Sequence, residues 1–168
     1  NLFENIMKSI NIWLDRYGES HKNPLNKRIH WVCVPLIMLS LMGLLWSIPF
    51  PFEIFAVYKQ KPYPIPINFA TLFISICTIY YFTLSISIAV GMIGVSILLI
   101  LGVMGLDSMQ YLKLWEVSSL IFIFAWIGQF IGHRIEGKKP SFFEDIQFLL
   151  IGPAWLMSFI YDKFNIKY

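Results

Sequence analysis

The sequence predicts an all-α protein: a polytopic membrane helical bundle with four spans, an N-terminal amphipathic helix and a C-terminal fifth apolar helix. Of the 168 residues, 57% are hydrophobic and 14% are charged, whereas about 25% are charged in an average soluble domain. The stretch 62–106 runs for 45 residues without Asp, Glu, Lys, Arg or His. A small soluble core cannot hold so long a stretch, which predicts two spans of about 20 residues joined by a turn.

Composition also excludes several classes of protein. The net charge of +3 is too small and too dispersed for a nucleic-acid binder, and the hydrophobic content is too high for a disordered tail. Cys33 and Cys77 lie in apolar stretches without a CxxC pair, so a disulfide-stapled secreted mini-protein is excluded too. The polar, amphipathic N-terminus is not expected to be a signal peptide. We expect a single integral membrane domain over 1–168.

The residue pattern of region 1–28 predicts an amphipathic helix followed by a polar motif. The apolar residues of the helix recur at helical spacing: Leu2, Phe3, Ile6, Ile10, Trp13 and Leu14. The helix is expected to end near Gly18. Asn23 followed by Pro24 predicts the start of the next helix, with Asn as the cap and Pro at the first helical position.

Region 29–132 is expected to hold four spans, near 29–48, 67–83, 86–106 and 114–132. Five prolines between 48 and 66 predict a structured external loop after the first span. Glycines of the third span offer close helix contacts: Gly91, Gly94, Gly102 and Gly105.

Region 133–168 holds a second polar motif and the C-terminal apolar run, 146–161. Gly152 and Pro153 interrupt this run. A span and a re-entrant or bundle-packed helix fit it equally well.

The distribution of lysine and arginine along the chain predicts how the bundle is oriented in the membrane. Five of them precede the first span and three follow the fourth: Lys8, Arg16, Lys22, Lys27, Arg28, Arg134, Lys138 and Lys139. With four spans these two groups lie on one side, which the positive-inside rule identifies as cytoplasmic. The bias toward isoleucine and lysine over alanine and arginine is typical of an AT-rich genome, and favours a bacterial inner membrane over the endoplasmic reticulum.

The chain contains three histidines, His21, His30 and His133, and all lie at the predicted cytoplasmic ends of spans. The helix break at Asn23 would let His21 and His30 meet, although nine residues along one helix would place them on opposite faces. Three neutral imidazoles leave a divalent metal with open positions. Zinc uses such a site to activate water, and iron(II) uses one to bind a chelating substrate with O₂. Helix capping or contact with lipid head groups is the alternative.

Other polar residues accompany the histidines. Gln129 and Glu136 share a helical face with His133, at offsets of four and three, which makes them candidates for catalysis or for orienting the imidazole. Arg134 and Lys138 are orientation charges or partners of a substrate carboxylate.

The polar clusters resemble the motifs of a known family. Tyr17 followed by HKNPLNKRIHWVCVP (21–35), then WIGQFIGHRIEGKKP (126–140) and IGPAW (151–155), is similar to the 2-hydroxy fatty acid dioxygenase family of small multi-span membrane proteins. The fungal member of that family acts in phytosphingosine breakdown in the endoplasmic reticulum. The motifs occur in order and cover nearly the whole chain.

The resemblance implies an Fe²⁺-dependent dioxygenase that shortens a 2-hydroxy fatty acid by one carbon without 2-oxoglutarate, with Zn²⁺ as a possible substitute metal. Its implied metal ligands are His21, His30 and His133, and its implied surrounding positions are Tyr17, Asn23, Asn26, Gln129, Arg134, Glu136 and Lys138. The expected partners are a 2-hydroxy fatty acid, O₂ and membrane lipids, with no nucleic acid. A zinc-dependent membrane lipid hydrolase and a non-enzymatic membrane scaffold stay open, as do the substrate chain length and the oligomeric state.

Overall fold

The computed structural model describes residues 2–51, 54–58, 61–65, 67–109, 111–139 and 147–168, with the backbone alone for 2–9, 54–58 and 61–65. These residues form six helices and two strands. In chain order they are α1 (Leu2–Gly18), α2 (Pro24–Ser47), β1 (Ile54–Tyr58), β2 (Lys61–Ile65), α3 (Phe69–Leu84), α4 (Ile86–Asp107), α5 (Leu114–Glu136) and α6 (Phe148–Lys163).

The N-terminal boundaries follow the predicted signals. Helix α1 ends at Gly18. Asn23 caps α2 with its side-chain oxygen, which accepts a hydrogen bond from the Leu25 N–H at 2.9 Å, and Pro24 takes the first helical position. Ile10 is buried and Ile12 is 54% exposed, as an amphipathic α1 requires. The side chains of Leu2, Phe3 and Ile6 lie outside the described part.

Three described helices are long and apolar enough to cross a membrane: α2, α4 and α5. Helix α4 has the bounds predicted for the span at 86–106, and many of its large apolar side chains face outward, such as Leu98 at 69% exposure. Helix α3, predicted as a span at 67–83, has 16 residues. It is therefore about 24 Å long, less than the roughly 30 Å of a hydrocarbon core. One residue, Ser85, serves as the C-cap of α3 and the N-cap of α4.

The closest helix pair, α2 and α5, packs antiparallel through small residues. The methyl group of an alanine at Gly43 would collide with Ser118, and one at Gly132 would collide with Asn26. At Gly128 it would lie 2.5 Å from the Cys33 Sγ. Of the glycines singled out in the third span, Gly91 and Gly102 of α4 make close contacts, with Tyr161 of α6 and Leu39 of α2, whereas Gly94 and Gly105 meet nothing within 4 Å.

The proline-rich loop contains an antiparallel hairpin, so the predicted all-α class omits two short strands. Its register pairs Ile54 with Ile65 and Tyr58 with Lys61. Pro62 and Pro64 lie two residues apart in β2, so their backbone nitrogens point to the same side of the strand. Proline has no N–H to donate, and it is tolerated where that side is the free edge of the sheet.

Helix α6 lies inside the bundle. Every residue from 151 to 158 is buried, and two tyrosine hydroxyls fasten it to neighbouring helices. Tyr81 of α3 donates to the Leu150 carbonyl at 2.7 Å, and Tyr161 of α6 donates to the Ser87 carbonyl at 2.6 Å. Helix α6 is therefore packed against its neighbours in the bundle, and whether it also crosses the membrane stays a prediction. The start of the predicted run, residue 146, lies outside the described residues.

Candidate metal centre

His21 and His30 are oriented by the same local device. His21 lies in the turn between α1 and α2, and its Nδ1 donates to the Tyr17 carbonyl oxygen at 2.6 Å. His30 lies in the second turn of α2, and its Nδ1 donates to the Asn26 carbonyl oxygen at 3.0 Å. Each imidazole therefore binds the carbonyl four residues before it, which fixes the ring direction within a single turn of chain.

These two hydrogen bonds decide the tautomers. A carbonyl oxygen only accepts, so each Nδ1 carries the proton and each neutral ring presents an unprotonated Nε2. The Nε2 atoms of His21 and His30 lie 2.9 Å apart. Two nitrogen lone pairs facing each other at that distance repel unless a cation lies between them, and a metal ligand needs the same deprotonated nitrogen.

His133 completes a cluster of three. It lies in the last turn of α5, and its ring centroid is 5.0 Å from the centroids of both His21 and His30. Its Nδ1 is buried and has no hydrogen-bond partner among the described residues, a costly state for a polar atom that a bound cation would relieve. One ligand atom from each ring lies within 4.8 Å of the others, so the three residues fit a single metal ion.

The cluster is dry. His21, His30 and His133 are 0%, 1% and 5% exposed. Burial lowers the pKa of His21 to about 3, helped by the positive charge that His30 would carry if protonated, while the Tyr17 carbonyl and Glu136 oppose the shift. At neutral pH this imidazole is uncharged, as a metal ligand must be.

Aromatic side chains form one wall of the cluster. The Tyr17 ring stacks on His21 with centroids 4.2 Å apart and planes 12° apart. Trp155 of α6 packs against both, with its centroid 5.4 Å from Tyr17 and 5.2 Å from His21. The buried helix therefore supports the ligand that the α1–α2 turn provides.

Comparison with known proteins supplies the family. The family model described as 2-hydroxy-palmitic acid dioxygenase Mpo1-like matches residues 7–164. The chain belongs to this Mpo1-like family. No curated protein and no solved structure matched the chain. All three histidines of the Mpo1-like chain, and the aromatic wall beside them, lie within the matched residues.

Glu136 ties the Mpo1-like chain's two polar motifs together. Its Oε1 accepts the Lys22 N–H at 2.8 Å, and its Oε2 accepts the Asn23 N–H at 2.9 Å. The side-chain amide of Asn26 also donates to Oε2, at 3.0 Å. The carboxylate therefore holds the N-terminus of α2 and, with it, the turn that carries His21. Asn26 also contacts the cluster, because its carbonyl oxygen accepts from the His30 Nδ1, and the site roles that the resemblance implies for Asn23 and Asn26 stay predictions.

The other predicted positions lie at different distances from the histidines. Gln129 is buried one turn before His133, and its amide forms no hydrogen bond within the described ranges. The Lys138 amine donates to the Glu19 carbonyl at 2.9 Å, and so fastens α5 to the end of α1. Arg134 is exposed on the outer side of α5. Catalytic roles for Gln129 and Glu136 stay predictions.

The structure adds residues that the motifs did not single out for the Mpo1-like centre. Gly128 and Gly132 let α5 approach α2 closely enough for Glu136 to reach the α2 N-terminus. Their spacing of four is the small-xxx-small pattern of close helix pairs, and that signal was available in the sequence. Trp155 belongs to the IGPAW motif (151–155), but neither that motif nor the apolar run around it reveals which residue meets an imidazole.

Proposed function

We propose that this chain is an Fe(II)-dependent dioxygenase that shortens 2-hydroxy fatty acids by one carbon. The observation that carries the proposal is the 2.9 Å approach of the His21 and His30 Nε2 atoms, each deprotonated by a backbone hydrogen bond at Nδ1. His133 would be the third ligand. The family is described as 2-hydroxy-palmitic acid dioxygenase Mpo1-like, and this description supports the proposed reaction and substrate class.

The proposed reaction balances without a second organic substrate. One 2-hydroxy acid and one O₂ would yield the acid one carbon shorter, one CO₂ and one water. Iron(II), when bound to three histidines, supplies open positions for a chelating hydroxyl and carboxylate and for O₂. The chain's own contribution is orientation and dryness: backbone carbonyls orient two rings, Glu136 holds the turn of His21, and burial excludes water.

Location is part of the proposal. The apolar α2, α4 and α5 support a membrane protein, and the lysine and arginine excess near the histidines supports a cytoplasmic face. We place it in a bacterial inner membrane. A site at the end of its helices would meet a fatty acid at head-group depth, so the substrate would not need to leave the bilayer.

The test is anaerobic metal analysis combined with product analysis. The protein is purified without oxygen, its iron and zinc are quantified, and O₂ uptake and the shortened acid are measured with 2-hydroxypalmitic acid. One iron per chain with stoichiometric O₂ uptake is the expected result. His21→Ala, His30→Ala and His133→Ala should each lose both iron and turnover.

Other outcomes distinguish the alternatives. Stoichiometric zinc with ester or amide hydrolysis would favour a membrane lipid hydrolase, which the three-imidazole donor set also fits. Protein without stoichiometric metal under anaerobic conditions would favour a non-enzymatic scaffold. Full metal and full turnover in His21→Ala would show that the three-histidine centre is wrong.

A further inference from the structure

A cavity opens beside the histidine cluster, between α2, α5 and α6. Its enclosed volume is about 60 Å³, and one side is open. Along α5 its lining residues are His133, Gln129 and Trp126, which lie on one helical face at spacings of four and three. Since a helix rises about 1.5 Å per residue, the cavity extends roughly 10 Å from the histidine cluster into the bundle.

The two ends of this cavity differ in polarity. Near the histidines it is lined by the Tyr17 hydroxyl and the Gln129 amide, neither of which forms a hydrogen bond within the described ranges. Along α2 and α5, away from the histidines, the lining is apolar, with Val34, Ile37, Met38 and Trp126, and α6 adds the apolar Phe148 and Pro153. Among the residues that the structure describes, no lysine, arginine, aspartate or glutamate lines the cavity.

That arrangement matches one kind of ligand. Two neutral hydrogen-bonding groups beside a metal centre suit a hydroxyl and a carboxylate, whereas the apolar depth suits a hydrocarbon chain and would leave a sugar or a peptide unsatisfied. Leu149, 43% exposed, lies at the edge of the cavity. A chain longer than the cavity can leave past it toward the surrounding lipid.

We infer that this cavity holds the first segment of the substrate's acyl chain, and that Met38 at its apolar depth determines how well long chains bind. The inference rests on the proposed function for the identity of the head group. Tyr17 and Gln129 would hydrogen-bond the head while His21, His30 and His133 hold the metal. Met38 lies on α2 two turns beyond His30, on the side that faces α5 and α6.

The test fills the cavity without touching the histidines. Met38→Trp places an indole in the apolar depth, and Leu36→Trp, two residues away on the outward face of α2, is the matched control. The measurement is the ratio of kcat/KM for 2-hydroxypalmitic acid to that for 2-hydroxyhexanoic acid, with metal content quantified in every sample. Each methylene kept out of the cavity is worth about fourfold, so Met38→Trp should lower the ratio by at least about tenfold. Leu36→Trp should leave it within about twofold.

A binding measurement separates this inference from the proposed function. Quenching of tryptophan fluorescence by a chain-brominated palmitic acid reports occupancy beside Trp126 even if no turnover occurs. Quenching that is strong in the parent protein and weak in Met38→Phe, which adds no fluorophore, and in Trp126→Phe supports the chain site, even if the dioxygenase reaction is absent. Unchanged quenching, or an unchanged chain-length ratio in a metal-loaded Met38→Trp, overturns it. If the indole lowers metal content, Met38→Phe replaces it, with the same direction of change expected.

Discussion

Replacing Glu136 by glutamine should weaken metal binding through the position of His21. The carboxylate accepts three hydrogen bonds, from the backbone N–H groups of Lys22 and Asn23 and from the Asn26 amide. Glutamine offers one acceptor oxygen and one NH₂ group. Because every partner is a donor, the NH₂ group must face at least one N–H, and the turn that carries His21 loses an anchor.

The size of the effect follows from these contacts. A hydrogen bond to a charged acceptor contributes about 1.5–3 kcal/mol, and the half-exposed position of Glu136 puts its bonds at the low end of that range. Loss of one bond and of the charge should therefore cost about 1.5–2 kcal/mol. If that energy holds His21 in place for the metal, Glu136→Gln should weaken metal affinity about 10- to 30-fold.

The assay is an anaerobic Fe(II) or Co(II) titration of the metal-free protein, paired with thermal denaturation. Glu116→Gln is the matched control, because Glu116 is a half-buried carboxylate at the other end of α5 that accepts the Lys113 N–H at 2.8 Å. It should lower stability but leave metal affinity unchanged. Unchanged affinity in Glu136→Gln, or equal weakening in both variants, would refute the reasoning.

Three further changes test the same centre. Gly132→Ala should lower thermal stability by about 1–3 kcal/mol and reduce metal content, because its methyl group collides with Asn26; Gly94→Ala, which meets nothing within 4 Å, should do neither. Tyr17→Phe keeps the ring stacked on His21 but removes the hydroxyl, so metal affinity should persist while substrate KM rises about two- to tenfold; a KM equal to that of the parent would contradict this. Metal-free protein should lose stability as the pH falls from about 6.5 toward 3, and His21 alone should contribute up to about 1.4 kcal/mol per pH unit, because unfolded His21 binds a proton that the buried ring, with its pKa of about 3, does not bind. Thermal denaturation across that range measures the slope, and a flat profile would contradict the burial of His21.

Local signals predicted the parts of the centre that depend on short stretches of chain. Asn23 and Pro24 set the start of α2, and the resulting break lets His21 and His30 converge as expected. The shared face of Gln129, His133 and Glu136 followed from helical periodicity alone. These features depend on residues within a turn or two of one another.

Contacts between distant residues were not predictable in the same way. Periodicity placed Glu136 beside His133, but only the close packing of α2 and α5 brings it to the N–H groups of Lys22 and Asn23. The burial of α6 is a second case, because lipid and protein favour the same apolar side chains. Composition therefore could not tell whether Trp155 would face the bilayer or the ring of His21.

The enclosed position of α6 affects when the centre can form during synthesis. All three histidines precede α6 in the chain, yet Trp155, which packs against the Tyr17–His21 stack, and other residues of the surrounding apolar core lie within it. When synthesis has reached the end of α5, all three histidines have been made, but the helix that packs against the Tyr17–His21 stack has not. Metal capture should therefore follow translation of α6, and a chain stopped after α5 should leave the ribosome with a full set of histidines and no assembled centre.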